Sequence, residues 1–254
     1  MFDAVKVKND CVQWIRDWFD ANGPDCKAVI GISGGKDSSV VAALCVEALG
    51  KDRVIGVLMP EGRQVDIGDS YALIQHLDIH YVEMNIDRIV EGFYSSLKDN
   101  NIMEHNLKQI DFNSSIQAVI NLPPRIRMSM LYFVSQSIGG RVIGTDNASE
   151  AYIGYSTRWG DNVADAMPIL NLTSDEVIAV GEALGLPRYL THKTPSDGLC
   201  GKSDEDAFGF TYKQLNDHIN NGTCGNTEID KAINIKHMNS QFKREAIPAF
   251  SPML

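Results

Sequence analysis

Apolar and polar positions along this chain switch repeatedly between a period of two and a period near 3.6. In the first 25 residues, Val5, Val12, Ile15 and Phe19 fall near helical spacing, which predicts an amphipathic helix and not the apolar core of a signal peptide. A short apolar run at 28–32 then reads as a buried strand, and an apolar-rich stretch of helical length follows at 37–49. The rhythm continues with a strand at 53–59, ended by Pro60-Glu61-Gly62, a helix at 66–77, a strand at 79–84 and a helix at 86–98. A polar stretch runs through Asn113. Pro123-Pro124 is expected to open a helix ending near Ile138, because proline suits a first turn, and 141–144 makes a fourth strand. This alternation predicts an α/β fold, a doubly wound parallel sheet of about five strands with helices on both faces.

Beyond Pro168 the pattern turns helical. Thr173-Ser174-Asp175-Glu176 reads as a capping box for a helix over 177–184, which Gly185 and Pro187 stop. Residues 193–209 form a long polar loop of the kind that serves as a lid. Helices at 212–220 and 228–241 precede a proline-containing tail.

A length of 254 residues suits a single domain spanning 1–254, enough to bury a substantial core. The net charge of −10 opposes a nucleic-acid partner, since phosphate backbones demand basic patches. No apolar run is long enough for a membrane span. Five scattered cysteines, without a C-x-x-C pair or zinc spacing, fit reduced thiols and a cytoplasmic address.

Chemistry enters where the first strand breaks, at Ser33-Gly34-Gly35-Lys36-Asp37-Ser38. A strand, a glycine turn and a helix N-terminus make an anion cradle, with free N–H groups and the helix dipole aimed at a ligand such as a phosphate chain. The spacing excludes a kinase-type P-loop: Gly31 and Gly35 enclose three residues where four are needed, and Asp37 follows Lys36. The fourth strand should deliver Gly144-Thr145-Asp146-Asn147-Ala148-Ser149-Glu150 to the same crevice. Asp37 and Glu150 are therefore candidates to share one Mg²⁺ with nucleotide phosphates; the plainer alternative makes Asp37 a helix N-cap and Glu150 a solvated helix residue.

The first block resembles the PP-loop of the ATP pyrophosphatase superfamily, which splits ATP into AMP and pyrophosphate. It is joined by Arg125-Ile126-Arg127-Met128, the 144–150 block, Gly154-Tyr155-Ser156-Thr157-Arg158-Trp159-Gly160-Asp161 with Asp165, Thr194-Pro195-Ser196-Asp197, and Lys243-Arg244. Together, over about residues 10–250, these blocks are similar to the ammonia-dependent NAD synthetases. The resemblance implies an adenine nucleotide alpha hydrolase-like PP-loop fold and a C–N ligase acting in the last step of NAD biosynthesis. ATP would adenylate the nicotinate carboxylate of deamido-NAD, and ammonia would attack the acyl adenylate to give NAD, AMP and pyrophosphate. Matched by position, it implies ATP binding by Gly31, Ile32, Ser33, Gly34, Gly35, Lys36, Asp37, Ser38, Thr145, Ser174 and Ser196. Deamido-NAD would meet Arg125, Arg158, Asp165 and Lys243, and Mg²⁺ would sit on Asp37 and Glu150. Ser33, Asp37 and Asp161 would serve catalysis, Asp161 beside the ammonia, and the family forms a homodimer.

Plainer readings stand beside these. Arg125 and Arg127 lie two apart on a helix and cannot share a face, so at most one should touch substrate and the other should be a surface ion pair. Tyr152, Tyr155 and Trp159 suit packing, and a tail lysine such as Lys243 is solvated by default. Two positions depart from the family. Ser174 stands where a lysine usually reaches the ATP phosphates, so Lys36, Lys193 or Lys202 would have to replace that charge, and Phe242 stands where a histidine is common. The absence of a glutaminase region points to free ammonia as donor. A tRNA-modifying PP-loop enzyme is disfavoured by the acidic charge; a degenerate nucleotide binder finds its only hint in Ser174.

Overall fold

The computed structural model describes residues 2–99, 116–193 and 204–252. Its centre is a four-stranded, all-parallel sheet ordered β3-β2-β1-β4, built from β1 (Lys27–Gly31), β2 (Val54–Leu58), β3 (His80–Glu83) and β4 (Gly140–Val142). Alternate residues of β1 feed two cores, as the pleat dictates. Ala28 and Ile30 pack with α1 (Ala4–Asn22), α2 (Lys36–Leu49), α3 (Ile67–Leu77) and α7 (Ser174–Ala183). Val29 faces the other way, with Val57, toward α4 (Asp87–Asp99) and α5 (Ile116–Ser137). Helices thus cover both faces, as the sequence pattern predicts.

The expected fifth strand is reduced to one parallel bridge between Ile143 and Ala166. Gly144 N–H donates to Ala166 O (2.8 Å) and Asp165 N–H to Val142 O (2.9 Å). Pro168 has no N–H to extend this ladder, so the segment stays too short to count as a strand.

α5 also departs from expectation. It begins at Ile116, and Pro123 and Pro124 lie inside it. Interior proline costs about 3 kcal/mol through the lost hydrogen bond and ring clash. Adjacent prolines concentrate that damage in one turn, while Leu122, Ile126, Met130 and Val134 bury an apolar stripe on both sides of it. Tertiary packing therefore carries the helix through.

A third apolar cluster joins α6 (Ala148–Ile153), α9 (Asp204–Phe208), α10 (Tyr212–Asn221) and α11 (Thr227–Asn239) through Ile153, Phe208, Leu215 and Ile233. α9 corrects the expectation of an irregular loop over 193–209, whose middle, 194–203, lies outside the described residues. α8 (Arg188–Thr191) packs on α2 and α7 through Leu190. Gly181 lets α7 lie against α2, since a Cβ there would meet Val40 Cγ2 at 2.9 Å and Thr191 Cγ2 at 2.8 Å. Among the described residues, Cys11, Cys26, Cys45 and Cys224 are free thiols, and no helix is long and apolar enough to cross a membrane.

Candidate active site

β1 connects through α2 to β2 on one side, while β4 pairs on the other, so the strand order reverses at β1. A crevice opens there beyond the carboxyl ends of the strands, as open α/β sheets require. It holds a cavity of about 700 Å³ lined from β1, α2, α5 and the segment after β4.

The cradle after β1 is knitted by its own serines. Gly35 N–H donates to Ser33 Oγ (3.2 Å), Ser33 Oγ and Ser38 Oγ lie 3.1 Å apart, and Ser38 Oγ donates to Gly35 O (3.2 Å). Gly34 turns the chain at φ +74°, and a Cβ on it would sit 2.8 Å from Ser70 N and Asp69 Cβ. Only glycine fits this combination of left-handed backbone and close approach. Gly31, Ile32, Ser33, Gly35, Lys36 and Asp37 face the cavity; Gly34 and Ser38 shape the turn from behind.

Asp37 is not a helix cap: the N-cap of α2 is Gly35, without a side-chain cap. The Asp37 carboxylate instead accepts from Lys36 Nζ at Oδ2 (2.8 Å) and from Asn147 Nδ2 at Oδ1 (3.0 Å). Asn147 in turn caps α6 by accepting from Glu150 N–H (3.1 Å), which ties the cradle to the 144–150 block. Glu150 lines the cavity floor, and burial, reinforced by the Asp37 charge, pushes its carboxyl up to about 8. Tyr212 OH lies 3.0 Å from Asp204 Oδ2 and 3.4 Å from Glu150 Oε1, and its ring lies beneath Lys36 Nζ at 5.3 Å. Two crowded carboxylates in an open polar pocket fit a hard divalent cation completed by phosphate oxygens. Among the described residues no three carboxylate, histidine or cysteine side chains form a ready metal cage.

Thr145 and Asp161 also line the cavity. Asp161 accepts from Thr157 N–H, yet burial raises its carboxyl. Beside it, burial together with the Asp161 charge pushes buried Asp146 up more strongly.

None of the residues matched to deamido-NAD lines this cavity; Arg125 lies by Arg158 and Lys243, whereas Asp165 is engaged at the edge of β4. Arg125 Nε donates to Arg158 O (3.3 Å), and the Arg158 guanidinium lies 4.9 Å from the Trp159 ring and 5.2 Å from the Phe242 ring. Lys243 is not a solvated tail residue: Nζ donates to Gly154 O (2.8 Å) and Ser156 O (2.6 Å). Asp165 accepts from Val142 N–H (2.8 Å) and Tyr132 OH (3.2 Å).

Two residues sit differently from expectation. Arg127 does pair with Glu61 (Nη2–Oε2 4.0 Å), but it is half-buried, its Nε donates to Met59 O (3.0 Å), and it, not Arg125, lines the cavity. Ser174 does not face the cavity. It is buried, donating N–H to Ser149 Oγ (3.0 Å) and accepting from Asn216 Nδ2 (3.0 Å), because this polar node pins α7 against α10. Ser196 and Lys202 lie outside the described residues. Sequence reasoning gave no role to Asp146, Asn147, Asp204 or Tyr212, although the first two stand in the 144–150 block. Asn147, three before Glu150, carried an N-cap signal, whereas packing brings Asp204 and Tyr212 to the site.

A family model described as NAD synthase matches residues 7–247. The NH(3)-dependent NAD(+) synthetase of Finegoldia magna is 33% identical over 249 residues, covering 97% of this chain and 96% of the relative. That of Pyrococcus furiosus is 39% identical over 190 residues, covering 74% and 69%. Among solved structures, NMN synthetase from Francisella tularensis superposes with a TM-score of 0.86 at 32% identity, each chain covered fully. NAD+ synthetase from Burkholderia pseudomallei gives 0.75 at 26% identity, covering 96% of this chain and 91% of that one.

Proposed function

Since the chain belongs to the NAD synthase family, we propose that it amidates deamido-NAD with ammonia, consuming ATP and releasing AMP and pyrophosphate. The observation that carries this reading is the glycine cradle at the β1/β4 switch point with Asp37 and Glu150 on its floor. A carboxylate resists nucleophiles until its oxygen becomes a good leaving group, and adenylation supplies that. The N–H groups of the 31–37 cradle receive the charge that builds as pyrophosphate departs. Asp37 and Glu150 would hold Mg²⁺, which supplies charge neutralisation and in-line orientation of the phosphates. Thr145 and Arg127 bound the nucleotide, and Ser33 fixes the loop around the leaving group. Asp161 holds ammonium beside the acyl carbon and takes its proton, because only neutral NH₃ attacks; its raised carboxyl suits that exchange.

Arg125, Arg158, Asp165 and Lys243 shape the rim where the second nucleotide half would rest. A homodimer completes that rim in this reading, with exposed Ile89 and Phe93 of α4 and Phe133 of α5 as an apolar surface. Free thiols accord with a cytoplasmic enzyme. The Francisella relative favours one second reading, nicotinate mononucleotide as the carboxylate substrate, since that structure matches over both full lengths. Purified protein with Mg²⁺-ATP and ammonium is expected to convert deamido-NAD to NAD with stoichiometric AMP. Formation of ADP overturns the chemistry, and a higher kcat/KM for the mononucleotide replaces the substrate.

A further inference from the structure

Ser174 is buried and brings no charge to the phosphate cradle, which leaves the need for a cation there to other side chains. Three lysines could fill it, and the structure separates them. Lys202 lies outside the described residues. Lys193 also lines the cavity, but its Nζ is held by Asp66 Oδ2 (2.7 Å) and Asp69 Oδ2 (2.6 Å), beside the N-terminus of α3. Lys36 is different in kind. Its side chain is 5% exposed, yet it lines the cavity, and its ammonium sits 2.8 Å from Asp37 Oδ2. Glu150 and Asp204 supply further negative charge around it, and the Tyr212 ring covers it.

An ammonium in that position does part of what a metal ion does there: it neutralises Asp37. It cannot stay on Asp37 at full strength once a divalent cation takes the same carboxylate. Lys36 opens α2, directly at the phosphate cradle, so its long stem can carry the charge from the carboxylate to the cradle without backbone movement. Building on the function proposed above, we infer that Lys36 is a resident counter-ion which yields Asp37 to the divalent cation and turns its ammonium onto the pyrophosphate. One group thereby serves two states. It balances the Asp37 charge before the nucleotide arrives, and it stabilises the leaving group afterwards.

The test needs neither acyl substrate nor turnover, so it stays readable if the amidation reading fails. Mn²⁺ alone is titrated into nucleotide-free protein by electron paramagnetic resonance, and inorganic pyrophosphate is titrated at saturating Mn²⁺ by calorimetry. Lys36→Met should bind Mn²⁺ about tenfold more tightly, because no fixed cation competes, and pyrophosphate about tenfold more weakly. Lys36→Gln should behave alike, whereas Lys193→Met should leave the Mn²⁺ titration unchanged. Unaltered Mn²⁺ and pyrophosphate affinities in the Lys36 variants overturn the inference. If those variants fail to fold, wild-type crystals soaked with Mn²⁺ and pyrophosphate decide it: Nζ on a phosphate oxygen supports the switch, and Nζ still paired with Asp37 rejects it.

Discussion

Glu150→Gln should make the metal-free protein more stable and the enzyme inactive. The wild-type carboxyl sits at about 8 in the folded protein against an ordinary value of 4.5, through burial first and the neighbouring Asp37 charge second. Below about pH 4.5 the group is protonated in folded and unfolded chains alike, and no cost arises. Between about 4.5 and 8 the unfolded chain releases the proton while the folded one retains it, so stability falls as pH rises. Felt in full, the perturbation is worth about 5 kcal/mol, and water in the cavity screens it to on the order of 2 kcal/mol by pH 8. Glutamine copies the protonated shape and keeps none of this penalty. Urea unfolding in EDTA at several pH values should show equal stabilities near pH 4.5 and a gap that widens toward pH 8 in favour of the variant. Adding Mg²⁺ with ATP should close the gap from the wild-type side only, while NAD formation by the variant falls at least about 100-fold. A gap that stays constant with pH, or a variant less stable at pH 8, refutes the reasoning.

Gly34→Ala should cost about 2–3 kcal/mol in chemical denaturation, from left-handed strain plus overlap with Ser70 N, and should abolish pyrophosphate binding measured by calorimetry. Gly181→Val should lower stability by about 1–3 kcal/mol by prising α7 from Val40 of α2, with KM for ATP little changed, as thermal melts and steady-state kinetics can check. Arg127→Lys should raise KM for ATP about tenfold, because a point charge cannot both hold Met59 O and present a planar fork to the cavity; Arg125→Lys should affect ATP far less, and equal effects would cancel the distinction.

β1 and β2 were legible because they are apolar runs closed by glycine or proline, and the switch point followed from the order of elements. The fifth strand was not, since nothing local announces that Pro168 halts a ladder after one bridge. α5 was misplaced because proline statistics describe isolated helix ends, whereas Met130 and Val134 find partners from β1 and β2 that no local window contains. At the site, Asp37 and Glu150 were readable as a pair because glycine spacing fixes what surrounds them. Choosing between Arg125 and Arg127 needed the helix orientation, which depends on the packing of α5. The role of Ser174 depended on Asn216, far along the chain, and Tyr212 reaches Glu150 only through the folding of the C-terminal helices.

The Asp165 clasp bears on how the molecule behaves in a crowd. A sheet margin normally offers unpaired amide groups to any passing strand. Here the outward N–H of Val142 is taken by a side chain, its carbonyl by the next segment, and the proline two residues after Ala166 refuses another rung. That border is sealed by its own neighbours, which leaves β3, with its exposed Tyr81 and Val82, as the side from which unwanted strand pairing would start.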